Sequence, residues 1–292
     1  MSAAPAPHTI FDLPLVRQRL ARAWASGFEG FLLHRALEDL LERLALIQRP
    51  FPVAVDLATP APDLALALAH QRELLQLAPI AEVLATPGGR VADPEALPLQ
   101  PASADLVVSL LALHVINDLP GTLVQIRRAL RPDGLFIACM PGGQTLHELR
   151  TCLTAAESEI CGGASPRVIP FADVRDMGAL LQRAGFALPV ADIDSVTVRY
   201  DSAFALMAEL RAMGATNPLV ARSRKPLPRA VFLRAAELYR ARYADADGRI
   251  RATFEMIWVS GWAPHDNQQK PLRPGSAKMR LAEALGTREG KL

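Results

Sequence analysis

A parallel, doubly wound α/β sheet is the fold class this sequence predicts, and three observations predict it. Short unbroken apolar runs, Val53-Ala54-Val55, Leu106-Val107-Val108 and Leu135-Phe136-Ile137-Ala138-Cys139, read as strands buried on both faces. Helix-like stretches separate them, the clearest over 119–130. The turn Arg131-Pro132-Asp133-Gly134 puts proline at a turn position and glycine at the release into the last run.

Each element then follows in order. Leu15, Leu20 and Trp24, then Phe31, Leu37, Leu40, Leu44 and Ile47, recur at helical spacing, and Gly27 and Gly30 divide the stretch into two helices. Lying before the first strand, they are expected to cover the sheet. Strands are expected over 53–57, 74–78, 105–110 and 135–140. Helices follow over 143–160 and 171–184, parted by Gly162-Gly163, with Gly185 in a helix-ending position. Two further strand-like runs, 190–200 and 253–262, bracket a basic insertion with helices over 203–213 and 229–243. The expected organisation is a tail over 1–9, a helical cover over 10–50 and a core over 51–200. A helical insertion over 201–251, a final strand over 252–264 and a polar tail over 265–292 complete it.

At 292 residues, half of them hydrophobic, the chain can bury a large core. A formal net charge of +2 gives no electrostatic case for nucleic acid as a partner. Cys139, Cys152 and Cys161 match no zinc spacing and fit a reducing compartment, and Cys152 and Cys161 read as packing residues. No run approaches the roughly 18 apolar residues of a membrane span, and residues 1–8 lack the basic start and apolar core of a signal peptide. A cytoplasmic location is expected.

The stretch from Val53 to Pro62, Val-Ala-Val-Asp-Leu-Ala-Thr-Pro-Ala-Pro, has the strand–loop–helix layout of a nucleotide-binding unit. In such units loop glycines let the backbone adopt positive φ and approach a ligand. Here the loop holds two prolines and no glycine.

At Asp105-Leu106-Val107-Val108-Ser109, Leu113-His114, Asn117-Asp118-Leu119-Pro120 and Leu130-Arg131-Pro132-Asp133-Gly134 the chain resembles class I S-adenosylmethionine-dependent methyltransferases of the type that includes the biotin-pathway carboxyl methyltransferase. Phe11-Asp12, Met140-Pro141-Gly142-Gly143 with Thr145-Leu146, Arg183-Ala184-Gly185-Phe186, Met213-Gly214, Asn217 and Gly261-Trp262 narrow it. They are most similar to the branch containing the respiratory complex I assembly factor described as a protein arginine hydroxylase. The similarity runs from Ile10 to Ala277. It implies a Rossmann-like class I methyltransferase fold: a seven-stranded, mostly parallel sheet with helices on both faces, N-terminal helices and a helical lid insertion. It also implies assembly or modification of a subunit of complex I, the proton-pumping NADH dehydrogenase, as the task, and S-adenosyl-L-methionine as the cofactor.

Through the resemblance, that cofactor lies over Asp56, Ala58, Asp93, Pro94, Leu110 and Leu111, and substrate enters beside His114, Gly142 and Gly143. Two of its contacts are damaged. The superfamily's three loop glycines correspond to Ala58, Pro60 and Pro62, and the second strand ends in Leu77-Ala78-Pro79 without the carboxylate that accepts the ribose hydroxyls. The missing acceptor alone costs about 1–3 kcal/mol. Asp93, in the intact adenine-facing segment, remains able to accept from an amino group.

His114 is the candidate catalytic residue, as an orienting group or base near neutral pH; a histidine that closes a loop over the pocket fits the residues equally well. Asn117-Asp118 reads as a helix cap, and His147 and Glu148 as solvated. The six histidines are dispersed and give no metal-ligand spacing, so no metal site is assigned. The basic run Arg222-Ser223-Arg224-Lys225-Pro226-Leu227-Pro228-Arg229 is either a solvated loop or a guide for an acidic protein partner or anionic surface. Three functions stay open: modification of a protein side chain, a non-catalytic pseudo-methyltransferase that binds or chaperones a subunit, and methyl transfer to a small-molecule carboxylate. The expected partner is a complex I subunit, with peripheral membrane association left open.

Overall fold

The computed structural model describes residues 9–70 and 72–268. Two helices precede the first strand: α1 (Leu13–Ala25), capped by the Asp12 carboxylate accepting from the Leu15 amide, and α2 (Phe31–Ala45). Between them Gly27 takes φ 93, a left-handed turn that reverses the chain. The core then alternates β1 (Val53–Leu57), α3 (Asp63–Ala69), β2 (Glu73–Ala78), a two-residue β3 (Arg90–Val91), β4 (Ala104–Leu110), α4 (Leu119–Ala129) and β5 (Leu130–Pro141). It continues with α5 (His147–Cys161), α6 (Val174–Arg183), β6 (Ala187–Tyr200), the lid helices α7 (Ala203–Ala212) and α8 (Arg229–Tyr243), and β7 (Ile250–Trp262).

The seven strands lie in the order β3-β2-β1-β4-β5-β7-β6. Strands β1 to β5 pair in parallel, and β7 runs antiparallel to both of its neighbours, β5 and β6. The sheet is thus the seven-stranded, mostly parallel one that the resemblance implies, while the wholly parallel sheet expected from the apolar runs is interrupted by β7. Strand order reverses between β1 and β4, and the crevice at such a switch point is where open α/β sheets bind ligands.

Two apolar layers sandwich the parallel strands. Val55, Leu57, Val107 and Phe136 face α4 and α6, while Ala54, Leu106, Val108 and Ile137 face α2 and α3. Helix α2 is pinned by Arg43, whose guanidinium lies 4.5 Å over the Trp258 ring and forks onto Asp192 of β6 at 2.8 and 2.9 Å. A third cluster joins Leu32 of α2, Leu149 and Leu153 of α5, Leu206 and Leu210 of α7, Tyr239 of α8 and Phe254 of β7. The lid is therefore packed onto the core through the first half of β7.

Several local expectations change. Helix α5 starts at His147 rather than residue 143, because 142–146 form a turn in which Thr145 bonds the Glu255 backbone and Leu146 takes φ 55. Helix α6 starts at Val174, where Asp173 caps it. Within β5, where the register shifts between Leu130 and Leu135, Asp133 rather than Gly134 carries the positive φ, 64. Gly134 is needed for a close approach, since a Cβ there would sit 2.9 Å from the Arg131 carbonyl oxygen. Glu148 is buried, not solvated: it accepts from the Thr253 amide and hydroxyl at 3.2 and 2.6 Å. Of the two cysteines expected to pack, Cys152 is buried and Cys161 is exposed; Cys139 is buried in β5. Gly185 ends α6 at φ 84, with the Phe186 amide reaching back to Leu181. The tail expected over 265–292 lies largely outside the described residues, as do residues 1–8.

Candidate functional site

The site is built at the carboxyl ends of β1, β2 and β4. Beyond Leu57 the chain turns sharply at Ala58, whose φ of 58 is the left-handed conformation that glycine usually supplies. The Ala58 amide bonds the Leu77 carbonyl of β2 at 2.8 Å, and the Thr59 hydroxyl accepts from the Leu110 amide of β4 at 3.2 Å. The Pro60 carbonyl is taken by the Trp24 indole N–H of α1 at 3.0 Å. The loop thus keeps a tight turn without a glycine, and its polar groups bond the fold itself.

Beneath it, Asp56 is fully buried and its Oδ1 has no hydrogen-bond partner. Burial raises the carboxyl to about 7, although hydrogen bonds from Thr59 pull it partly back. On the neighbouring 3-10 turn Leu113–Val115, His114 lies against Phe171, ring centres 6.1 Å apart. Its Nδ1 is buried without a partner, and burial lowers the imidazole to about 4. It is neutral at physiological pH and offers one donor and one acceptor.

These elements open onto a cavity of about 640 Å³. Its walls come from α1, the loop after β1, the turn bearing His114, α5, α7 and the 213–227 segment of the lid. Most are apolar, among them Leu20, Leu33, Leu153, Ile169, Phe171 and Met213. Glu29 is the one carboxylate on the wall among the described residues.

Of the residues named from sequence, Ala58, Pro94, Leu111 and His114 line this cavity together. Asp56 lies below it, and Leu110 is fully buried and supports Thr59 through its amide. The Asp93 side chain is 46% exposed and meets Arg17 at 3.5 Å. Gly142 and Gly143 do not line the cavity; Gly142 is pressed against β7, where a Cβ would collide with the Glu255 carboxylate and Ile257. Asn117 and Asp118 are structural. Asn117 accepts from the Ile10 and Phe11 amides at 2.8 Å each, and Asp118 caps α4 through the Gly121 amide. Glu29, Arg19 and Arg167 reach the cavity without a sequence signal, since a long lid brings distant segments together. No group of three metal-ligating side chains is clustered among the described residues.

A family model described as a methyltransferase domain matches residues 51–138, the parallel half of the sheet. Over nearly its whole length the chain is 36% identical to the protein named arginine-hydroxylase NDUFAF5, mitochondrial, of Danio rerio, covering 94% of this chain and 89% of that one. The Mus musculus protein of the same name is 38% identical, with 97% and 85% covered. The chain belongs to the NDUFAF5 family. A malonyl-[acyl-carrier protein] O-methyltransferase of Laribacter hongkongensis is 38% identical over 63% of this chain and 59% of its own. Among solved structures, the YcgJ protein of Bacillus subtilis superposes with a TM-score of 0.55 at 14% identity, covering 80% of this chain and 99% of its own. A putative methyltransferase of Bacillus halodurans gives 0.54, also at 14% identity, covering 78% and 99%. These share the class I methyltransferase fold of this family member. The lid and α1, which close the cavity, lie outside the stretch that the domain model matches.

Proposed function

We propose that this NDUFAF5-family protein takes a segment of a complex I subunit into the cavity beside His114 and modifies an arginine side chain on it. The observation that carries the reading is the identity of 36–38% across 85–89% of the length of relatives named arginine hydroxylases, lid included. The chain's own residues supply the place for that chemistry. Apolar side chains make up most of the wall, Glu29 offers a carboxylate to a guanidinium, and neutral His114 can orient the reacting end by hydrogen bonding. Three cysteines without a disulfide support a reducing setting such as the cytoplasm.

In this reading the residues present do not fit S-adenosyl-L-methionine held in the superfamily's usual way. Ala58 carries a methyl group into the turn, Pro60 and Pro62 have no N–H to offer, and the Pro60 carbonyl is occupied by Trp24. At the end of β2 stand Ala78 and Pro79, and Glu82 beyond them is exposed. Those observations favour a second reading, a binding module that escorts the subunit without reacting. Methyl transfer to a small carboxylate is the least supported, because it depends on the cradle that is gone.

Deleting the gene and examining complex I subunits by mass spectrometry separates these readings. The expected result is loss of one oxygen atom from an arginine, with lowered NADH dehydrogenase activity in membranes. That atom is the mark of a hydroxylation in which dioxygen gives one atom to the side chain and an external two-electron reductant turns the other into water. Loss of a methyl group instead would make the protein a methyltransferase. Lowered activity with every subunit mass unchanged would make it an escort. Unchanged masses and unchanged activity would overturn the assignment to complex I.

A further inference from the structure

The cavity wall carries six cations against the single carboxylate Glu29. Arg17 and Arg167 are answered by Asp93 at 3.5 Å and Glu157 at 2.6 Å. Arg19, Arg211, Arg224 and Lys225 make no ion pair with any carboxylate among the described residues. Some arginines elsewhere are paired, as in Arg43–Asp192, Arg131–Asp105 and Arg222–Asp12, and others such as Arg90, Arg128 and Arg183 stand on the surface without an ion pair among the described residues; what marks these four cations is that they converge on one cavity. Arg19 donates to the Thr216 carbonyl at 2.8 Å, while burial and the neighbouring Arg222 push its guanidinium below its ordinary value. The four come from three separate segments, α1, the end of α7 and the basic lid run, and all border one concavity.

We propose that this rim docks an acidic stretch of the protein substrate, carboxylates that flank the arginine presented to the cavity. The inference rests on the protein-substrate reading above. A lone arginine approaching four unpaired cations is repelled. One arriving between acidic residues is steered in, and its own charge is left for Glu29. The concave arrangement favours a chain segment over a bilayer, which presents a plane, and the spread over three segments favours a polyanion over a single small ion. Pro226 and Pro228 restrict the basic run and hold its charges at the mouth with less entropy to lose.

The test uses the 292-residue chain and its variant Arg211→Glu, Arg224→Glu, Lys225→Glu, whose three side chains are exposed and whose fold is checked by circular dichroism and Tm. The probes are a fluorescein-labelled arginine peptide flanked by glutamates, the same peptide flanked by lysines, and vesicles of phosphatidylserine in phosphatidylcholine. The glutamate peptide is expected to bind at least about tenfold more tightly than the lysine peptide. It should weaken steeply as salt rises and lose about tenfold in the variant, the sum of three partly screened pairs. Equal binding of both peptides, an unaffected variant, or binding to vesicles without binding to the glutamate peptide would overturn the proposal. Returning the variant to the deletion strain separates the two readings. Full restoration of the arginine modification by the variant sinks the docking rim alone, whereas a modification missing even with the parent gene sinks the enzymatic reading.

Discussion

Ala58 holds a backbone conformation that costs an alanine about 1–2 kcal/mol, and it does so inside the core, 6% exposed. Ala58→Gly removes that strain while freeing the unfolded chain by about 0.4–1 kcal/mol. The variant is expected to match the parent or exceed it by up to about 1 kcal/mol in denaturant unfolding, where the same change at an ordinary φ lowers stability. Asp56, just below, sets a pH dependence. Its folded value near 7 is above the ordinary 3.8, so between those values the native state holds the proton more tightly than the unfolded chain. Stability from this group is full below about pH 4, falls as pH rises toward 7, and is flat above. Asp56→Asn, which carries no charge to bury, is expected to raise stability at pH 8 by roughly 2–4 kcal/mol and to lose that advantage near pH 4. A gain that does not vary with pH would show that Asp56 is paired in solution. The place of this aspartate at the end of β1 is legible from sequence, but its missing partner is not, because that depends on which groups of Thr59 and Leu110 turn toward each other.

At the level of elements, the loop over 162–170 is tied to α5 by the Arg167–Glu157 pair, both side chains largely buried, with the Ser165 amide also on Glu157 at 3.2 Å. Arg167→Ala leaves the carboxylate buried without its counter-charge and is expected to cost about 3 kcal/mol, read as a lowered denaturant midpoint. A loss under about 1 kcal/mol would mean that Glu157 swings out to solvent. Neither partner stands out in sequence, since a pair ten residues apart is like any other charged couple until Gly162, at φ 74, folds the chain back. The strands β1, β4 and β5 are legible for the opposite reason: burial on both faces leaves each an unbroken apolar run, Val53 to Val55, Leu106 to Val108 and Leu135 to Met140. Strand β3 escapes because two residues carry no periodicity. The start of α5 is misplaced because Thr145 and Glu148 are claimed by β7, more than a hundred residues on. The cavity follows the same division. Its floor at the strand ends follows from the fold, while α1 and the lid reach it through contacts that no local pattern encodes.

For the whole molecule, the switch-point crevice and its floor persist, with Ala58, Pro60 and Pro62 in the loop after β1 and Ala78-Pro79 at the end of β2. The loop with two prolines follows β1 and the end without a carboxylate belongs to β2, so the two features lie on different strands. Meanwhile the cavity extends away from the strand ends toward α5, α7 and the lid, where the apolar wall and the cations lie. In the proposed reading the cavity serves the protein segment and not the cofactor. Calorimetry with S-adenosyl-L-methionine is therefore expected to give a Kd weaker than about 1 mM, short of −4 kcal/mol. Changing Ala58, Pro60 and Pro62 to glycine together returns the loop donors but not the ribose acceptor, and is expected to recover about tenfold at most. A micromolar Kd for the parent protein would mean that Glu29, Asp93 or the orphaned Asp56 oxygen holds the cofactor by contacts of this family's own, and the escort reading would fall with it.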